Sequence, residues 1–116
     1  MLDLSPDDFD ALVTEQLDAL SDEMVDGLEN VVIVTEARPE DGSLDTLGIY
    51  DGVALTERGT YGFGEMPDRI VLYREPLLNA CADVDELRHE IHVTLVHEIG
   101  HYYGIDDERL HELGWA

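Results

Sequence analysis

The sequence predicts a single α+β domain over residues 1–116, on three observations. Strong helical patterns occupy the two ends of the chain. Three short β-rich runs lie between them, at Val31 to Thr35, Leu47 to Val53 and Arg69 to Tyr73, and supply a small sheet. A chain of 116 residues buries enough surface for one core and leaves little for a second.

Each element has its own signal. Ser5 before Pro6 is an N-cap followed by proline at the first helical position. Phe9, Leu12, Val13, Leu17 and Leu20 then recur at helical spacing, and the helical pattern covers Ser5 to Leu28, with Ser21 starting a second short helix. Val31 to Thr35 is apolar and β-branched, the composition of a buried strand. Pro39, Asp41-Gly42 and several acids make Arg38 to Asp45 a turn. Leu47 to Val53 is a second, shorter strand. Gly59, Gly62, Gly64 and Pro67 mark Thr56 to Asp68 as a loop of the length that often carries function. Ile70 and Leu72 alternate with Val71 and Tyr73 in the third strand, and Pro76 to Cys81 holds a helical turn or two.

The last third is the clearest. Asp83 and Glu86 stand as N-cap and third-residue partner. Val84, Leu87, Ile91, Leu95 and Ile99 step by three or four and form one apolar face. The helix is predicted over Val84 to Tyr103, Gly104 is placed as its left-handed C′ residue, and a short final helix covers Asp107 to Leu113.

Charge and composition exclude several functions. Asp and Glu number 28 against six arginines and no lysine, a formal net charge of −22. Nucleic acid and anionic membranes are repelled by such a surface. The acidity serves solubility, or selects basic peptides and partners, and self-repulsion makes stability rise with salt. The acidic N-terminus has no basic n-region or apolar h-region of a signal peptide, and no apolar run approaches the ~20 residues of a membrane span. The single cysteine, Cys81, forms no internal disulfide and reads as a small buried hydrophobe. Together these predict a cytoplasmic protein.

The chemistry lies in His97-Glu98-Ile99-Gly100-His101. Histidines four apart on a helix share a face, one turn apart, and can share an ion. Zinc accepts imidazole nitrogens in tetrahedral geometry. Glu98 lies about 100° round the helix from His97, so it flanks the ion without ligating it and can take a proton from activated water. H-E-x-x-H on a helix is the pattern for that mechanism. A catalytic site needs a third protein ligand and an open position. Gly104 lets the chain reverse, and Asp107 completes H-E-x-x-H-x-x-G-x-x-D, in the place of a third histidine. Asp106 is its nearest rival, with Glu108, His111 and Glu112 behind, and Asp107 can also be read as the N-cap of the final helix.

The string from His97 to Trp115 resembles the small bacterial zincin-like metallopeptidase family, once described as a domain of unknown function. The resemblance also covers Leu47 to Gly52, Leu55 to Arg58 and Pro67 to Arg74, most of the chain after Asn30. It implies one zinc ion held by His97, His101 and Asp107, Glu98 as general base, and hydrolysis of a peptide or protein substrate. It also implies a minimal zincin-like fold, with a sheet of about three strands packed against the active-site helix and an N-terminal helix. The Met-turn of larger metzincins is missing, since the last methionine is Met66, upstream of the motif. Trp115 either floors the site in its stead or packs on the core.

Other side chains carry weaker readings. Tyr102 and Tyr103 can donate to an oxyanion or serve the core. His89 and His92 read as ordinary surface residues, and Arg58 as a loop ion pair or a binder of substrate carboxylate. The strand at Leu47 to Tyr50 is a candidate edge for aligning an extended peptide. Two rival functions remain: a non-catalytic metal-binding or protein-interaction module on the same fold, and a structural zinc site closed by His111 or Glu112.

Overall fold

Residues 2–52 and 68–115 are described by the structure, a computed structural model. The helices that begin at Pro6, Asp22 and Val84 start at the capping residues the sequence marks, whereas those that begin at Arg74 and Asp107 do not. Helix α1 (Pro6–Asp18) starts at Ser5, whose hydroxyl accepts from the Asp8 N–H at 3.1 Å. Helix α2 (Asp22–Val25) starts at Ser21, which caps it by accepting from the Met24 N–H. The helical pattern predicted through Leu28 therefore breaks at Ala19 to Ser21 and ends at Val25. Ser21 takes extended backbone to cap α2, which interrupts the helical run.

Strands β1 (Val31–Glu36), β2 (Gly48–Asp51) and β3 (Asp68–Tyr73) form one sheet in the order β1-β3-β2. β1 runs parallel to β3 with Ile33 opposite Ile70, and β2 runs antiparallel with Tyr50 opposite Ile70. β3 is central, and its near-continuous apolar run is buried accordingly. β2 is shorter than the sequence predicts, ending at Asp51. Among the described residues it pairs with one strand only, leaving its other edge toward the helices.

Helix α3 (Arg74–Ala80) begins two residues before Pro76, the position at which the sequence predicts its start. The first N–H groups of a helix have no internal partner, so proline fits within the first turn. Helix α4 (Val84–Tyr103) has the predicted bounds. Asp83 caps it by accepting from the Glu86 N–H at 2.8 Å, and Gly104 closes it at φ 74°. Helix α5 (Asp107–Leu113) follows. Leu87, Ile91, Leu95 and Ile99 are fully buried along one stripe of α4. The stripe joins two apolar clusters: one with Phe9, Leu72 and Leu77, the other with Ile70, Leu110 and Trp115. The result is an α+β fold in which α4 packs across a three-stranded mixed sheet. No described helix is long and apolar enough to cross a membrane.

Candidate metal centre

The buried stripe of α4 decides where the motif faces. Ile99 points into the core and carries its neighbour Glu98 inward, where the Glu98 side chain is only 6% exposed. His97 and His101 lie on the opposite flank, half exposed, with ring centroids 4.5 Å apart. One ligand atom from each of His97, Glu98 and His101 falls within 4.8 Å of the others. Glu98 Oε1 is 3.0 Å from His101 Nδ1, yet it is buried with no hydrogen-bond partner. The carboxylate also accepts from the backbone N–H of Tyr50 on β2. Burial pushes the Glu98 pKa up, against the opposing pull of His101 and His97. A buried, unpartnered carboxylate oxygen facing two imidazoles fits a cation, because buried charges persist when they are paired or coordinate a metal. These three residues could hold a metal ion.

Asp107 reaches His97 from α5. After Gly104 reverses the chain, the Ile105 N–H donates to Gly100 O at 2.8 Å. Asp106, the rival candidate, is spent as N-cap of α5 and accepts from the Arg109 N–H at 2.8 Å. Asp107 becomes the first residue of the helix, with Oδ1 3.1 Å from His97 Nδ1. It stands outside the group of three formed by His97, Glu98 and His101. Gly100 allows this approach, because a Cβ there would meet Leu110 Cδ1 at 3.0 Å. Of the remaining candidates, Glu112 pairs with Arg109 at 3.1 Å and Glu108 is exposed.

The model of one family, zincin-like metallopeptidase, matches residues 28–115. The chain belongs to that family. No curated protein matches it. Among solved structures it is similar to a conserved hypothetical protein from Thermus thermophilus, with 23% identity and a TM-score of 0.58. That match covers 95% of this chain and 97% of the other, and it shows a shared fold. A zincin-like fold, with the H-E-x-x-H helix packed on a small mixed sheet, is therefore the setting of the His97-Glu98-His101 group.

Two grooves flank His97. The smaller, about 330 Å³, runs between α4 and the segment Asp45 to Gly48 and reaches Thr94, His97 and Glu98. Gly48 is pressed into this wall, since a Cβ would lie 2.8 Å from Thr94 Cγ2 and 2.9 Å from the Val71 carbonyl oxygen. The larger, about 760 Å³, lies between α4 and α5. His89 and His92, read from sequence as ordinary surface, line this second groove together with His97 and His111. The signal that would have found it is the four-residue step His89, Val93, His97, which sets one face of α4.

The remaining readings resolve by contact. Tyr102 OH accepts from the Glu29 N–H at 3.2 Å, and Tyr103 OH donates to Met24 O at 2.7 Å. Tyr102 thus ties α4 to the segment after α2 and Tyr103 ties it to α2 itself, which answers to the core role. Trp115 packs on the core, edge-on against Tyr103 with centroids 5.9 Å apart, and also lines the larger groove. Cys81 is buried, and burial with nearby Glu86, Glu90 and Asp83 pushes its thiol up to about 11, leaving it a hydrophobe. Arg58, Met66 and the predicted loop up to Pro67 lie outside the described residues. Sequence reasoning missed Tyr50, whose backbone N–H holds Glu98 while its hydroxyl donates to buried Asp68 at 2.5 Å. A backbone donor leaves no mark in a sequence.

Proposed function

We propose that the protein is a zinc-dependent metallopeptidase, with one zinc ion held by His97, His101 and Asp107 and with Glu98 as general base. The observation that carries this reading is the buried, unpartnered Glu98 oxygen beside the His97 and His101 imidazoles, in a chain of the zincin-like metallopeptidase family. Imidazole nitrogen and carboxylate oxygen are the donors zinc takes, and a catalytic zinc uses three protein ligands with one position open. Asp107 is favoured as third ligand over Asp106 because the Asp106 carboxylate is already engaged in capping α5. When bound, zinc supplies Lewis acidity, which polarises a peptide carbonyl and brings the pKa of a water towards ~7.

The protein's own groups do the rest. Glu98 accepts the water proton and hands it to the leaving amine. Its desolvated position raises its basicity toward the range where proton transfer both ways is efficient. The Tyr50 N–H restrains the carboxylate on the side of β2. The groove between α4 and the segment Asp45 to Gly48 suits an extended peptide laid beside the start of β2, with its scissile carbonyl beside His97.

Zinc content and cleavage test this together. Purified protein equilibrated with zinc is expected to hold one ion per chain and to cleave members of a mixed peptide library. A chelator should abolish cleavage and added zinc restore it. Zinc-loaded protein that leaves every library member intact would sink the enzymatic reading and leave a metal-holding interaction module.

A further inference from the structure

Val93 and His97 stand one turn apart on α4 and line both grooves, so they form the ridge between them. Val93 is 45% exposed and is one of two large exposed hydrophobic residues among those described. Beyond the ridge, the α4/α5 groove is walled by Val96, Leu110 and Trp115, and His89, His92, His111 and Asp107 also line it. On a chain of net charge −22, an apolar recess beside the metal centre is a local exception. At about 760 Å³ it falls within the ~300–1,000 Å³ of ordinary ligand pockets.

We propose that the α4/α5 groove is a specificity site that takes a bulky apolar side chain of a peptide whose backbone lies in the smaller groove and crosses the Val93–His97 ridge. The proposal rests on the peptide-hydrolysis reading and adds to it the class of residue selected. Continuity favours this occupant, because His97 belongs to both grooves and to the metal group, so a chain seated in the smaller groove next to His97 meets the second groove directly. The lining favours a large side chain, since Val93, Val96, Leu110 and Trp115 give it an apolar wall beside the imidazoles of His89, His92 and His111. The acidic surface favours cationic residues flanking the apolar one.

Trp115 is the chain's single tryptophan and lies in the groove wall, so its emission reports occupancy. The full-length chain, with and without added zinc, is titrated with blocked hexapeptides acetyl-Lys-Ala-Gly-Xaa-Ala-Lys-amide in which Xaa is Leu, Phe, Ala or Asp. The Leu and Phe peptides are expected to shift the emission to saturation, at concentrations about tenfold or more below those the Ala and Asp peptides require. Val93→Asp should weaken the Leu peptide by a similar factor while leaving the melting temperature unchanged. Equal responses to all four peptides, or silence with Leu and Phe, would overturn the proposal. Emission that shifts with protein concentration in peptide-free samples would overturn it too, and would assign the groove to a second copy of the chain. If the metallopeptidase reading alone fails, zinc binding or cleavage is lost while the ranking of peptides by Trp115 emission persists.

Discussion

Glu98 and Asp107 meet the His97–His101 pair from opposite environments, Glu98 at His101 and Asp107 at His97. On the β2 side, Glu98 is folded into the protein, held by a backbone N–H and pushed toward a higher pKa by burial. On the α5 side, Asp107 is 74% exposed and touches His97 from the first turn of a short helix. Two residues of one chemical class thus suit different tasks because of where they sit. The buried carboxylate gains by taking a proton and suits a base. The exposed one, beside His97 at the start of α5, suits a ligand or a brace for that imidazole.

The largest effect separating the two sides is on turnover. Glu98→Gln keeps shape and hydrogen bonding but removes the base, so kcat/KM should fall by roughly 10²–10⁴ while zinc content stays at one per chain. Loss of zinc along with activity would make Glu98 a ligand. Asp107→Asn should show the reverse order: zinc affinity, measured by competition with a chelator, falls by at least about tenfold, and activity recovers at high zinc. An unchanged affinity would remove Asp107 from the coordination shell.

The β2 wall is tested next. Gly48→Ala sets a methyl against the Val71 carbonyl and Thr94 Cγ2, so the strand edge must shift. A loss of about 1–3 kcal/mol in denaturant unfolding is expected. A variant as stable as the parent would mean that β2 is not pinned to α4. The smallest effect lies in the metal-free protein. There the folded state holds the Glu98 proton to a higher pH than the unfolded state, so the Glu98 contribution to stability falls as pH rises above the ordinary carboxylate pKa of ~4.3. Glu98→Gln should therefore stabilise the metal-free chain at neutral pH, with the difference vanishing on acidification toward that value. A destabilised variant at neutral pH would mean that the histidines outweigh burial.

Much of this was legible along the chain because the signals were local. Ser5, Ser21, Asp83 and Gly104 each act within one helical turn, and each is found at the helix end it marks. The motif is local as well, since a four-residue step on a helix needs no partner to bring His97 and His101 together. The start of α3 escaped because Pro76 is compatible with several positions in a first turn. The short extent of β2 and the larger groove escaped for a different reason. Both depend on what lies across from a residue, and Val93 carries no sign of its own that α5 folds back beside it.

By itself, the sequence determined the α4 platform, its bounds and the three residues of H-E-x-x-H upon it, because helix periodicity and capping are decided by near neighbours. Tertiary packing decided the electrostatic character of those residues. Only the sheet behind α4 buries Glu98 and supplies the Tyr50 donor. Only the close approach of α5 over Gly100 brings Asp107 to His97 while Asp106 turns away to cap its own helix. The residues that could hold an ion can be read from spacing, whereas the environments that set Glu98 apart from Asp107 come from elements distant in sequence.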